Sequence, residues 1–315
     1  MLLNKNKTSK IYNMNKIYKM AQRNPQKLAR ICESTYKNNI LKVASKIAKQ
    51  INKRNIILLA GPSGSGKTTS SHIIVEELER RGIPAIVVSM DNFFIHRKDT
   101  PVFEDGSKDY DNITSVNIEL FKKSMDNLIA NKFSMMPIFD FVTGVRQDDA
   151  YSIEITSPNT AIIVEGIHAF NPLCMSEEMR GKCEKVYVCV NSDFQTESGL
   201  ITRETLRFCR RMIRDFHHRA SSVEDTEILW RHVRDAEEQF IVPFKNTADF
   251  IIDTTHAYEP LLYKDELLKI AKVDENALKY LNFYLSDVEY SKKNIGENAL
   301  VWEFLTADDE DNNQN

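Results

Sequence analysis

The stretch IILLAGPSGSGKTTSSHIIVEELERRG, residues 56–82, decides the fold. Ile56 to Ala60 read as a buried strand, and residues 67 to 81 repeat apolar side chains at helical spacing before stopping at Gly82. Between them stands G-x-x-x-x-G-K-[ST], Gly61 to Thr68. Glycines at 61, 64 and 66 let consecutive backbone N–H groups turn inward, at the N-terminus of a helix whose dipole favours an anion. Such a turn cradles the phosphates of a nucleotide, here expected from Gly61, Pro62, Ser63, Gly64, Ser65, Gly66, Lys67, Thr68 and Thr69. Lys67 is expected to reach the β and γ oxygens and to be catalytic, and the Thr68 hydroxyl to ligate Mg²⁺.

Outward from this stretch the chain alternates strand and helix. AIVVSM (85–90) reads as the next strand and SVNIELFKKSMDNLIA (115–130) as a helix. TAIIVEGI (160–167) and KVYVCV (185–190) are continuous apolar runs of the kind that form buried parallel strands. Two long charged helices, about 200–219 and 223–240, precede a short strand in ADFIID (248–253). This order predicts an α/β fold: a P-loop NTPase-type parallel sheet with helices on both faces, plus N-terminal and C-terminal helical extensions.

The formal net charge of -3 conceals an uneven distribution. Residues 1–54 hold 14 Lys and Arg against one acidic residue, Glu33, which leaves 28 basic and 44 acidic residues for the remainder. Residues 1 to about 20 are expected to be mobile, and NNILKVASKIAKQINKR (38–54) to form an amphipathic helix that packs on the main domain. A sharper alternative gives its Lys-rich face a nucleic-acid or acidic partner. The five cysteines show no metal-ligand spacing, which suits a reducing compartment. No stretch approaches the roughly 20 apolar residues needed to cross a bilayer, and the start lacks the apolar core of a signal peptide. No membrane association and a cytoplasmic location are therefore expected.

Candidate chemistry lies at the carboxyl edge of the sheet, where open α/β folds bind ligands. Asp91, in SMDNFF, is placed to accept a proton from an attacking hydroxyl or to help hold Mg²⁺, although a turn-capping role fits its position equally. Glu165 follows four apolar residues and is costly to bury without a partner, so a metal is a sensible one. In TLRFCRRMIRDFHHR, Arg207, Arg211 and Arg214 fall on one helical face, with Arg210 and Arg219 nearby, and make a candidate lid over phosphates. Phe139 and Phe141 either stack on a substrate ring or pack in the core. His217 and His218 are adjacent and point apart, which argues against a metal pair; His168 is expected to be a packing residue.

Six blocks, GPSGSGKT, SMDNFF, DYDNI, PIFDFVTGVR, IIVEGIHAF and RRMIRDFHHR, occur in the order found in the uridine kinase and phosphoribulokinase family, which the chain resembles over about residues 55–255. Residues 22–54, the F-x-x-G-x-R of Phe141 to Arg146, and WRHVRDAEEQFIVPF look most like a bacterial branch whose kinase follows a threonyl-tRNA-synthetase-like region. That region itself is not expected in this chain.

The resemblance implies ATP as donor with Mg²⁺, Asp91 as catalytic base on the 5′-hydroxyl of a nucleoside, and Asp111 on the ribose hydroxyls. It implies Glu165 beside the metal, Arg214 and Arg219 on the ATP phosphates, and Arg211 and Arg146 with Phe94, Phe139 and Phe141 at the substrate. Uridine and cytidine kinases resembling this chain tend to carry Tyr at the positions of Phe94 and Phe139 and His at that of Gly144. They often carry Gly-Arg where this chain has Ala220 and Ser221 after Arg219. The expected division is a basic helical extension (1–54), a P-loop kinase domain (55–255), a C-terminal helical extension (256–305) and a disordered acidic tail (306–315), with homo-oligomeric assembly.

The first functional expectation is an ATP-dependent kinase acting on the 5′-hydroxyl of a nucleoside, uridine or cytidine foremost. A second keeps the fold but phosphorylates a sugar phosphate or a pantothenate-like alcohol. A third is a nucleotide-binding, RNA-associated regulator.

Overall fold

The computed structural model describes residues 9–219, 221–281 and 288–306; the expected acidic tail, beyond Thr306, lies outside them. Five parallel strands form the central sheet: β2 (Ile56–Ala60), β3 (Ala85–Ser89), β6 (Ala161–Glu165), β7 (Cys183–Cys189) and β10 (Phe250–Asp253). Their order is β10-β7-β2-β6-β3, so the strand feeding the phosphate cradle is central. Both β2 and β6 are buried along their whole length, as continuous apolar runs in a sheet covered on both faces should be.

Helices α3 (Lys67–Arg80), α4 (Ile118–Asn131), α5 (Arg203–Arg219), α6 (Val223–Phe240), α7 (Val242–Lys245), α8 (Glu259–Ala271) and α9 (Leu278–Leu281) connect and cover the strands. The two faces of the sheet feed separate apolar clusters. Ile57, Leu59, Val186 and Val188 pack with α2 (Pro25–Gln50) and α3, whereas Leu58, Val88 and Val164 pack with α4.

Of the arm expected to be mobile, residues 1–8 lie outside the described residues, and the rest is ordered. Lys10–Asn13 form a strand, β1, paired in parallel with β8 (Ser192–Gln195), and β9 (Leu200–Ile201) completes a three-stranded sheet. Helix α1 (Met14–Arg23) follows, capped by the Asn13 side chain, and buries Met14, Ile17 and Ala21. Those three positions share a face at helical spacing, and a short apolar stripe amid lysines suffices to anchor ten residues. Helix α2 begins well before residue 38, with Asn24 as cap and Pro25 in its first turn. It packs on α3, and the Tyr36 hydroxyl lies 2.8 Å from Ser70 Oγ.

A hairpin absent from the sequence reading, β4 (Phe133–Asp140) with β5 (Val145–Glu154), stands beside the carboxyl edge of the sheet. Its register shifts between Met136 and Ile138, around Pro137, which has no N–H for the ladder.

Candidate active site

The glycines of the cradle are sterically required. A Cβ on Gly61 would sit 2.1 Å from the Val188 carbonyl oxygen, and Gly66, at φ 84°, would drive one to 2.4 Å from Leu300 Cδ1. Lys67 Nζ donates to the Pro62 carbonyl at 3.3 Å, and the buried Ser65 hydroxyl has no hydrogen-bond partner. Left-handed turns at Gly64 and Gly66, an ammonium and an unspent hydroxyl at a helix N-terminus fit a polyphosphate.

Asp91 lies in a 3₁₀ turn, Met90–Phe93, directly after β3. Glu165 ends the adjacent strand opposite Ser89, which stands two residues before Asp91. Gly166 permits that convergence, since a Cβ there would meet Met90 Cβ at 2.7 Å. Burial pushes the Asp91 carboxyl above its ordinary value, while the charges of Lys67, Arg219 and Arg214 draw it down. Glu165 is raised to about 7, by burial first and by the nearby charges of Asp91 and Glu303, with Lys67 opposing. Asp111, in the loop before α4, is raised to about 6 by burial, with Arg211 opposing. The Lys67 charge draws on all three carboxyls, Asp91, Asp111 and Glu165.

No group of three or more His, Cys, Asp or Glu side chains among the described residues is arranged to hold a metal. Mg²⁺ in phosphoryl-transfer sites is held mostly by phosphates, waters and one or two protein oxygens, and the exposed Thr68 with Glu165 fits that donor set.

The arginines of α5 divide in two. Arg207 is buried and bonded to Glu237 Oε2 at 2.6 Å. Arg210, fully buried, pairs through two hydrogen bonds with Glu259 and donates to Thr254 and to the Gly64 carbonyl. These two hold structure. Arg211, Arg214 and Arg219 instead gather on the buried Asp215, at 3.2, 2.9 and 3.3 Å, and Arg211 Nη1 reaches Ser63 Oγ. Asp215 went unmarked in the sequence; an acid among arginines at i−4, i−1 and i+4 is the signal that finds it. The expected lid helix is anchored, because Leu206, Phe208, Cys209, Met212 and Ile213 sit in the core with α1 and α8.

The hairpin brings the expected substrate aromatics together. Phe94, Phe139 and Phe141 meet edge to face at centroid distances of 5.1–6.2 Å. Phe94 and Phe139 are 8% and 5% exposed and belong to the core, whereas Phe141 is 57% exposed. The Arg146 guanidinium is spent on the Phe94 carbonyl and Asp148, so it orders the hairpin rather than standing free for substrate. The sequence reading also missed Arg97. Its side chain lies where a Cβ on Gly144 would fall, 2.5 Å from Arg97 Cβ. Its two terminal nitrogens donate to the Phe141 and Val142 carbonyls, and its Nε is buried without a hydrogen-bond partner. His168 is buried, its imidazole pKa lowered to about 4 by burial, and neither ring nitrogen makes a hydrogen bond.

A glycine cradle at the end of the central strand, opposite carboxylates on the next two strand ends, defines a P-loop kinase of small molecules. The chain belongs to the phosphoribulokinase / uridine kinase family, whose profile matches residues 56–259. It is 29% identical over 199 residues to a uridine kinase of Leuconostoc citreum (strain KM20), covering 62% of this chain and 86% of that protein. To a uridine kinase of Ligilactobacillus salivarius (strain UCC118) it is 30% identical over 207 residues, covering 65% and 88%. A solved structure described as a possible uridine kinase from Bacillus stearothermophilus superimposes with a TM-score of 0.41 at 17% identity, over 67% of this chain and 97% of that one. The chain is an ATP-dependent small-molecule kinase. No helix among the described residues is long and apolar enough to cross a membrane.

Proposed function

We propose that this kinase transfers the γ-phosphoryl group of ATP to the 5′-hydroxyl of a nucleoside, with uridine and cytidine the leading acceptors. The observation that carries this reading is Asp91, lifted by burial yet facing Lys67, Arg214 and Arg219 beside the cradle. A carboxylate of raised pKa is a better proton acceptor for a hydroxyl. Asp91 takes the acceptor's proton as its oxygen attacks, and Lys67, Arg214 and Arg219 bear the charge of the moving group. Thr68 and Glu165 would hold Mg²⁺, which when bound neutralises charge on the phosphates. Asp111 orients the ribose hydroxyls with Arg211 beside it, and Phe141 offers an open ring for stacking. The kinase domain is taken as residues 55–255, between the basic and the C-terminal extensions.

Arg97 over Gly144 favours a second reading, because a guanidinium with a spare buried N–H suits an acceptor that carries an anion, such as a sugar phosphate. A phosphorylation screen with ATP and GTP as donors, over pyrimidine and purine nucleosides and sugar phosphates, tests both. Turnover of uridine or cytidine above all others supports the first; exclusive turnover of an anionic acceptor replaces it with the second. Phosphorylation of no alcohol while ATP still binds would sink both.

A further inference from the structure

The family match ends at residue 259, yet the chain returns to the cradle afterwards. Leu300 packs on Gly66, 2.4 Å from where its Cβ would stand, and Phe304 lies under the Arg210 guanidinium, 5.1 Å from Cζ to the ring centroid. Glu303, between them in the turn Leu300–Glu303, accepts a 2.8 Å hydrogen bond from the hydroxyl of Thr69, the residue after the candidate metal ligand Thr68. Leu300, Val301 and Phe304 are all at most 1% exposed, so this segment is a fixed wall and not a displaceable strap. The single acidic residue of the basic N-terminal region fastens it: Glu33 Oε1 accepts from the Gly296 backbone, and Oε2 lies 2.7 Å from where a Cβ at 296 would stand.

A carboxylate held against the first turn of a phosphate-binding helix opposes the anion that the helix end attracts. Its charge also reaches Glu165, on the expected metal side. We propose that Glu303, supplied by the C-terminal extension, makes the donor site select metal-bound ATP over free ATP. This rests on the reading of Thr68 and Glu165 as the metal side of the site. The nucleotide changes from about four negative charges to about two when it takes up the ion, and a fixed negative charge nearby disfavours the first form more strongly. Coupling between metal and nucleotide is reciprocal, so the sign of the effect on their ratio does not depend on whether Glu303 acts by repelling phosphate or by attracting the cation.

The test is calorimetric titration of the full chain with ATP, without acceptor, in excess Mg²⁺ and in chelator. The quantity read is the ratio of the dissociation constant for free ATP to that for MgATP. Glu303→Gln can still accept from Thr69 and removes only the charge; it should lower this ratio by roughly fivefold or more, for two charge units within about 10 Å of the group. Glu297→Gln, an exposed acid in the same segment, should leave it unchanged. An unaltered ratio in Glu303→Gln, with wild-type binding intact, overturns the inference. Failure of the wild type to bind MgATP more tightly than ATP would instead overturn the reading of the metal side on which it rests.

Discussion

Breaking the pair between Arg210 and Glu259 should be among the most damaging single changes available in this chain. Both side chains are 0% exposed, and two hydrogen bonds of 2.7 and 2.8 Å join them. The guanidinium makes three further bonds, to Thr254 O, Thr254 Oγ1 and Gly64 O, and the carboxylate accepts from the His256 N–H and the Tyr263 hydroxyl. Arg210→Met leaves a buried carboxylate with two neutral donors; Glu259→Gln leaves a buried cation facing carbonyls. Each strands one charge, and loss of one partner of such a pair costs about 3–5 kcal/mol, a large share of the roughly 5–15 kcal/mol that holds a domain together.

The double variant strands neither charge, so its loss should fall short of the sum of the singles by about 2 kcal/mol or more. Urea denaturation followed by circular dichroism, run as a double-mutant cycle at neutral pH, measures this. Additive single losses of under about 1 kcal/mol would show that the pair is screened and the buried geometry wrong. The pair also gives a pH signature. The arginine holds the Glu259 carboxyl below its ordinary value of 4.5 despite burial, so its contribution is present above that unfolded value and is lost as pH falls through the lower folded one.

Asp91→Asn should reduce kcat by about 10²–10⁴-fold while ATP still binds, measured by steady-state kinetics beside nucleotide titration, and near-normal turnover would remove the base assignment. Asp111, raised to about 6, should be needed ionised, so kcat/KM should fall as pH drops through about 6, an inflection lost in Asp111→Asn. The raised value means that the folded chain holds this proton more tightly than the unfolded one, so its contribution to stability declines as pH rises from about 3.8 to about 6, visible in denaturation midpoints. Gly144→His, which restores the residue common in the resembling kinases, should clash with Arg97 and demand an unfavourable φ of 70°. It should lower thermal stability, and Arg97→Ala should relieve this only in part, because alanine keeps the Cβ that lies 2.5 Å away and the φ is unchanged; scanning calorimetry of both variants checks this.

How much of this site was legible depended on how far its partners lie apart in sequence. The cradle is contiguous, so spacing alone located strand 56–60 and the helix that begins at Lys67, and both begin where the sequence reading puts them. Glu165 ends its strand and Asp91 stands in the turn just after one, readable because an acid after an apolar run has few reasons to be there. The hairpin was not readable: its buried residues alternate only until Pro137 shifts the register. Arg207 and Arg210 looked like phosphate ligands because helical spacing places a side chain on a face without saying what the face meets. Glu237 and Glu259, which consume them, lie 30 and 49 residues further on. Glu303 stands 234 residues from Thr69, and no local pattern links a turn near one end of a chain to a helix near the other.

That distance bears on why the extensions exist at all. The carboxyl edge of the sheet collects Asp91, Asp111 and Glu165, all raised in pKa by burial, and concentrating like charges there destabilises the chain that carries them. Asp215 does the reverse for Arg211, Arg214 and Arg219, gathering the three guanidinium groups proposed to meet phosphate. Under the proposed function the acids await a cation and the arginines an anion, and a metal nucleotide would answer both. The apolar cluster that joins α1, α2, α5, α8 and the segment up to Leu305 packs both extensions onto the helix that carries those arginines.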